Sequence, residues 1–339
     1  MRWIVSLVPL LAALLPMPLV AASFCVSNSA ELQAAIAAAA SNADSNDTIR
    51  LRPGVYPSPP NGFGGVTFAP GDNLSISGGW RPLIGPCDLP GYDATASVID
   101  GEEQRAGLVL SRSSAGSGET NLSWLTIRGG RRMQSVALFG YGGGLAIFQS
   151  GPVSIRNMAF ENNRALRSGG AVFIEGSQAT LRNNLFIDNQ AGNGAALYLT
   201  SGGETVLSNN TAAHNLCDDD DGHAVDLWGP AVSAWNNIFH SNLGGNVSCD
   251  LHASNALLTQ NIVGQFCGSM HGLSQGNTSA DPQFVGATDL RLRRTSPAID
   301  SGVNNSVGTH DLDGRPRQIG PATDLGAYEA DFLLVDGFE

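Results

Sequence analysis

Between residues 169 and 252 the chain carries short apolar strands whose alternate positions hold side chains able to do chemistry. Val172 and Ile174 align with Leu197 and Leu199, then with Val225 and Leu227, so these positions point inward. With a period of two, Phe173 and Glu175, Tyr198 and Thr200, and Asp226 and Trp228 point outward. Carrying the alignment onto Cys249-Asp250-Leu251-His252 adds Asp250 and His252 to the two columns. The predicted outward face stacks Phe173, Tyr198, Asp226 and Asp250 beside Glu175, Thr200, Trp228 and His252. Rings cover the apolar face of a sugar and carboxylates accept from its hydroxyls, so Phe173, Glu175, Tyr198 and Trp228 are candidates for binding polysaccharide. Two acids one coil apart would lie about 5 Å apart, close enough for one pKa to rise and the spacing of a retaining glycosidase pair. Asp226, Asp250, His223 and His252 are the candidate catalytic residues. The competing reading is a solvated face with incidental rings.

Just before this face stands Asp218-Asp219-Asp220-Asp221, followed by His223. Four adjacent acids offer hard oxygen ligands for Ca²⁺; a solvated loop is the alternative. Near the end, Asp311-Leu312-Asp313-Gly314 holds part of a calcium-loop pattern without its terminal Glu. Asp300, Asp311, Asp313 and Asp324 read mainly as turn caps beside Arg315 and Arg317.

The 339 residues include no lysine: all 18 basic residues are Arg, against 30 acids, for a net charge of −12. A nucleic-acid surface needs clustered positive charge, so that partner is not expected. Lysine bases, Schiff bases and phosphate-loop lysines are excluded outright. An apolar fraction of 42% rules out wholesale disorder, and 42 Gly with 7% aromatics suit a turn-rich β protein. Arg2, the apolar run Ile4 to Leu15 and Val20-Ala21-Ala22 read as a secretory signal peptide over residues 1–22, cleaved before Ser23. No later stretch is apolar enough to span a bilayer, so no transmembrane segment is expected in the mature chain. Export permits disulfides. Of the five cysteines, Cys25–Cys87 and Cys249–Cys267 are the favoured pairs, with Cys217 left over.

The elements that must position these residues come from an internal repeat. Asn157, Asn183, Asn209 and Asn236 recur at steps of 26, 26 and 27. Phe160-x-x-Asn163, Phe186-x-x-Asn189 and Phe239-x-x-Asn242 follow them. Glycine-led strands start at Gly143, Gly169, Gly194 and Gly222. Each unit holds about three short strands and cannot bury its apolar face alone. Stacked at about 4.8 Å per coil it can, which is a parallel β-helix. Asn183, Asn209 and Asn236 are expected to stack as a hydrogen-bonded ladder. At the start, Asn28 and Glu31 form an N-x-x-E capping box, and Leu32, Ala35, Ile36, Ala39 and Ala40 share one helical face. A short amphipathic helix there would plug the open end.

The GG-A-[IV] and F-x-x-N motifs resemble the repeat of the polymorphic outer membrane protein family. The helix Glu31–Ile36, then Asp47-Thr48-Ile49-Arg50-Leu51 and Pro53-Gly54-Val55-Tyr56, is similar to the first cap of pectin-lyase-like right-handed β-helix proteins. Asp281-Pro282-Gln283-Phe284, Ser296-Pro297-Ala298-Ile299-Asp300, Asp311–Arg317 and Asp324-Leu325-Gly326-Ala327-Tyr328-Glu329 resemble the last region of bacterial secreted β-helix proteins. The tail Asp336-Gly337-Phe338-Glu339 is similar to one seen on some bacterial exported proteins. Asp219-Asp220-Asp221-Gly222-His223 is similar to the acids and histidine of polygalacturonases. It is more contiguous, and that family's arginine–lysine pair is missing, so its catalytic roles are not carried over. Lyases of the β-helix type imply a base for the C5 proton and Ca²⁺ or Arg against the substrate carboxylate. Without lysine, His or Arg must be the base, and Arg holds its proton to a pKa above about 12. Arg164, Arg167 and the pair Arg131-Arg132 are candidates for contacting acidic sugars.

The expectation is an all-β, single-stranded right-handed parallel β-helix. Residues 23–60 form the helical N-terminal cap and first strand, 61–280 the coils, and 281–339 the C-terminal cap and tail. The expected protein is a bacterial monomer, secreted or on the cell surface, that binds polysaccharide, with or without cleaving it as a lyase or hydrolase would. No cofactor other than Ca²⁺ is implied. The alternative is a non-catalytic structural surface protein or adhesin.

Overall fold

The alternation of inward and outward residues is realised as three long parallel sheets wound from short strands. The computed structural model describes residues 21–42, 46–113, 118–133, 140–200, 202–244, 249–305 and 308–331. Nearly all of the expected signal peptide and the Asp336–Glu339 tail lie outside them. In one coil the chain passes Val172–Glu175 (sheet I), Ala179–Arg182 (sheet II), Leu185–Ile187 (sheet III) and the short Gln190–Ala191. It then returns to sheet I at Leu197–Thr200, directly beside Val172–Glu175 in parallel register. The long strand Cys249–Thr259 pairs in both sheet I and sheet II. The inward columns fuse into one apolar core that runs from Val26 to Val263, with Phe160 and Phe186 stacked at 5.2 Å. The glycines that lead sheet I have a steric reason. Gly194 sits at φ +59°, and a Cβ there would come within 2.6 Å of the Tyr198 Cβ.

Two columns of asparagine fix one coil upon the next. Asn184, Asn210, Asn237, Asn261 and Asn277 form the first, each Nδ2 donating to the next Oδ1 at 2.9 Å. The same Oδ1 of Asn210 accepts the Asn184 N–H at 3.1 Å, and Asn210 Nδ2 also donates to Leu181 O at 2.9 Å. Both ends of the amide are therefore occupied, which is what allows burial without penalty. The ladder expected at Asn183, Asn209 and Asn236 thus runs one residue later. Those three hold left-handed backbone (φ 56°, 54° and 58°), a conformation asparagine tolerates. Their amides reach outward to His310 O, Asp324 O and Val303 O. The second ladder is the F-x-x-N asparagine, Asn163 to Asn189 to Asn215 to Asn242, at 2.8–3.0 Å.

The N-terminal helix plugs its end of the core, whereas the C-terminal segment runs back along the outside. The helix α1 (Ser29–Ala39) buries Leu32, Ala35, Ile36 and Ala39. Asn28 Oδ1 accepts the Glu31 N–H at 3.0 Å, while the Glu31 carboxylate takes the N–H of Ser27 at 2.7 Å. Gln33 exchanges two hydrogen bonds with the Gly64 backbone (2.9 and 3.1 Å) and so occupies the exposed edge of sheet I. Residues 281–331 do not close the last coil as a cap. They fold back along the outer face of sheet III, where Leu290, Leu312 and Ala327 pack on Ala159, Leu185, Ile187 and Ala213. Asp311 accepts the Arg315 N–H at 2.8 Å as a turn cap does, whereas Asp324 accepts the N–H of Asp300, distant in sequence, at 2.8 Å and so ties two segments together. Arg317 is fully buried and faces Glu329 at 3.6 Å.

Two outcomes are expected. Asn210→Leu strands the partners of both faces of its amide and lowers stability by about 1–3 kcal/mol in chemical denaturation. Burial raises the pKa of Glu329 to about 7 and shifts Asp311 and Asp324 upward too. The folded chain then holds protons that the unfolded chain, with Glu near 4.3, has released. Stability from this cluster is full below about pH 4 and is lost as pH rises through 7. Glu329→Gln should remove on the order of 2 kcal/mol of the difference between about pH 5 and pH 8, read from denaturation curves at each pH.

Candidate functional site

The outer face of sheet I brings together most of the residues singled out from the sequence, in a different register. Phe173, Tyr198 and Asp226 are neighbours in successive strands, as are Glu175, Thr200 and Trp228. The next strand is offset by two residues, so Asp226 pairs with His252, not Asp250. Asp250 is buried, and its two oxygens accept the Asn242 amide at 2.8 Å and the Gln265 N–H at 2.8 Å. It supplies the terminal acceptor of the second ladder where the repeat no longer offers an asparagine. It is therefore a structural residue, and the two-carboxylate glycosidase arrangement does not form.

What forms instead is a carboxylate–imidazole pair. Asp226 has no exposed surface. Its Oδ1 lies 2.6 Å from His252 Nδ1, and its Oδ2 accepts from Asn193 Nδ2 at 2.5 Å. Asn193 Oδ1 accepts the backbone N–H of both Gly194 and His223 at 2.8 Å, which locks the amide orientation. The contact engages Nδ1, so Nε2 is the ring nitrogen of His252 left to meet a substrate. The imidazole of His223 stacks on that of His252 at 4.5 Å, and the Trp228 ring flanks His252 at 5.1 Å. Burial pushes the His223 pKa down despite the Asp226 charge, so its ring is neutral at pH 7. Its buried Nδ1 makes no hydrogen bond among the described residues.

The rings around this pair divide into covered and open. Phe173 and Phe148 are 4% and 5% exposed. Tyr141 closes over Phe173 at 4.7 Å, so Phe173 belongs to a small apolar cluster and not to a sugar platform. Tyr198 stacks on Phe173 at 5.6 Å and is half-buried, and burial with the Asp226 charge raises its pKa. Trp228 is 51% exposed. Glu175 is exposed one position along from the cluster.

The charged loops sit on the edge before sheet I. Arg131 and Arg164 are register partners in the short fourth sheet. Arg164 faces Asp218 at 3.5 Å, and Gln190 donates to Asp218 at 2.6 Å. Asp218 to Asp221 are exposed, and no three of them bring ligand oxygens within 4.8 Å of one another. A calcium site does not assemble there as the chain stands. Arg167 lies 5.7 Å over the Tyr141 ring. Arg132 is buried, with its pKa pushed down to about 10. Two sets converge within 4.8 Å among the described residues: His223 with the disulfide-bonded Cys249 and Cys267, and His223 with Asp226 and His252, the second being ligand types suited to Zn²⁺ or a related ion. An ion there would have to displace the hydrogen bonds that Asp226 already accepts. Sequence reading missed Asn193, although its place before Gly194 at the head of a sheet I strand marks it as a turn residue facing the next coil.

These coils, ladders and outer-face site define a solenoid whose chemistry is displayed on a sheet, not enclosed in a cavity. The chain belongs to the right-handed β-helix family: residues 104–287 match the family described as right handed beta helix region. No curated protein and no solved structure matches the chain. The family defines a fold that carries many activities. No helix among the described residues is long and apolar enough to cross a membrane. The cysteines pair as the sequence reading favoured, Cys25–Cys87 and Cys249–Cys267, with Cys217 free and buried. Burial raises the Cys217 thiol to about 12. Native protein at about pH 8 should show no titratable thiol with an aromatic disulfide reagent, and one per chain after denaturation without reductant.

Proposed function

We propose that the outer face of sheet I binds an extracellular polysaccharide and that His252, held by Asp226, is the general base that acts on it. The observation that carries this reading is the fixed Asp226–His252 pair beside the open Trp228 ring. A buried carboxylate on one imidazole nitrogen orients the ring and leaves the other nitrogen basic. The base can take the C5 proton of a uronate while the C4–O4 bond breaks and the leaving oxygen takes a proton from water, which gives elimination, or it can take a proton from a water that attacks C1 while the glycosidic C1–O bond breaks and the leaving oxygen is protonated by solvent, which gives hydrolysis. The absence of lysine leaves histidine as the side chain with a pKa suited to either step. Exposed Trp228 and half-buried Tyr198 offer the stacking surface a sugar ring needs. Two disulfides suit an oxidising compartment outside the cytosol.

An activity screen on acidic and neutral polysaccharides tests the reading. Asp226→Asn and His252→Gln should each lower turnover about 100-fold or more while glycan binding persists. Trp228→Ala should weaken binding about 3- to 10-fold with an unchanged thermal midpoint, because the ring supports no core contact. Full activity in His252→Gln, or parental binding in Trp228→Ala, would defeat the proposal.

A further inference from the structure

A second polar groove, which shares no residue with the sheet I site, lies between sheet II and the returning C-terminal segment. It measures about 280 Å³, close to the lower range for small-molecule sites. Its floor carries Arg156 and Arg182, register partners in successive coils, whose backbones are about 4.8 Å apart. Arg182 donates to Ser208 Oγ at 3.1 Å. Neither guanidinium has a carboxylate within ion-pair distance among the described residues, whereas Arg105, Arg128, Arg164, Arg291 and Arg317 all do. Two like charges held side by side without a counterion are unusual in a chain of net charge −12. Burial and the Arg156 charge both push the Arg182 pKa down, so an anion between them would be favourable.

The end of the groove is aromatic. Tyr92 stacks on His310 at 4.2 Å, and Trp124 meets Tyr92 edge-on at 5.3 Å. Trp124 has φ 57°, at the turn position that the next coils fill with Asn157, Asn183, Asn209 and Asn236. Asparagine accepts left-handed backbone readily, whereas a bulky residue there is an outlier. Strain of this kind is kept where a side chain is needed at that spot.

We propose that this groove binds a negatively charged sugar residue, with its carboxylate or sulfate between Arg156 and Arg182 and its ring against Trp124, Tyr92 and His310. The partner class is shared with the sheet I reading, but the site and its residues are not, so either can fail alone. It requires no turnover.

The test is calorimetry and tryptophan fluorescence on the full chain with oligogalacturonate, a sulfated oligosaccharide, a neutral cello-oligosaccharide and inorganic sulfate. The uronate or the sulfated oligomer should bind, more weakly as salt rises, and the neutral oligomer should not bind at this groove. Arg156→Gln with Arg182→Gln should weaken anionic binding at least 10-fold. Trp124→Asn should weaken it at least 5-fold while the thermal midpoint stays level or rises, which a merely structural tryptophan would not give. Trp228→Ala should leave unchanged the part of this binding that the double arginine variant removes. Parental affinity in the double arginine variant, equal binding of the neutral oligomer that Arg156→Gln does not alter, or loss of anionic binding only in Trp228→Ala would each overturn the proposal.

Discussion

In the coils from Met158 to Asn277 the outward side chains have their positions because one coil is held on the next by amides that donate and accept at once. A parallel ladder of backbone bonds alone tolerates slippage, particularly in strands of three to five residues such as Leu185–Ile187 and Leu197–Thr200. The two buried asparagine columns remove that freedom. An asparagine displaced by one residue would leave the Oδ1 of its neighbour unpaired in the interior, at a cost of roughly 1–3 kcal/mol per orphaned group. Register is therefore specified from inside the turns, and the strands can carry varied outward residues without losing alignment.

The Asp226–His252 pair is a direct product of that alignment. The two residues lie 26 apart in sequence and meet because sheet I stacks without slippage. Asp250 shows the same rule at a boundary. When the asparagine column runs out, a carboxylate closes it, since the last position needs only to accept. Asn193 then couples the turn before one strand to the acid on the next, so turn and strand chemistry are joined in one network.

Much of this was legible in the residues. The 26-residue period, the inward Val172/Leu197/Val225 column and the helix from Asn28 follow from spacing and composition, and the structure agrees with them and with the favoured disulfide pairs. The errors share one cause. Sequence periodicity locates a strand only to within a residue or two, and on sequence alone Leu251 fits beside Leu227 as well as beside Val225, its partner in the structure. That shift moved Asp250 out of the face and His252 one column across. Within the Asn-Asn turns, either asparagine could have formed the ladder. Backbone conformation decides it, because the left-handed member must point its amide outward. Phe173 was read as open because periodicity says which way a side chain points and says nothing of what later folds over it, here Tyr141.

The C-terminal segment has a consequence for how the chain reaches this structure. Asn157 bonds to Asp311 across 154 residues of sequence, while neighbouring coils bond across about 26. Coils can thus accrete from either end by short-range closure, yet the apolar strip of Ala159, Leu185, Ile187 and Ala213 stays bare until nearly the last residue has been delivered. During synthesis from the N-terminus, the coils would exist for a time with one sticky flank. The final docking event converts an assembly-prone intermediate into a closed particle, and it places the slowest, most vulnerable stage of folding at the end of the chain's journey.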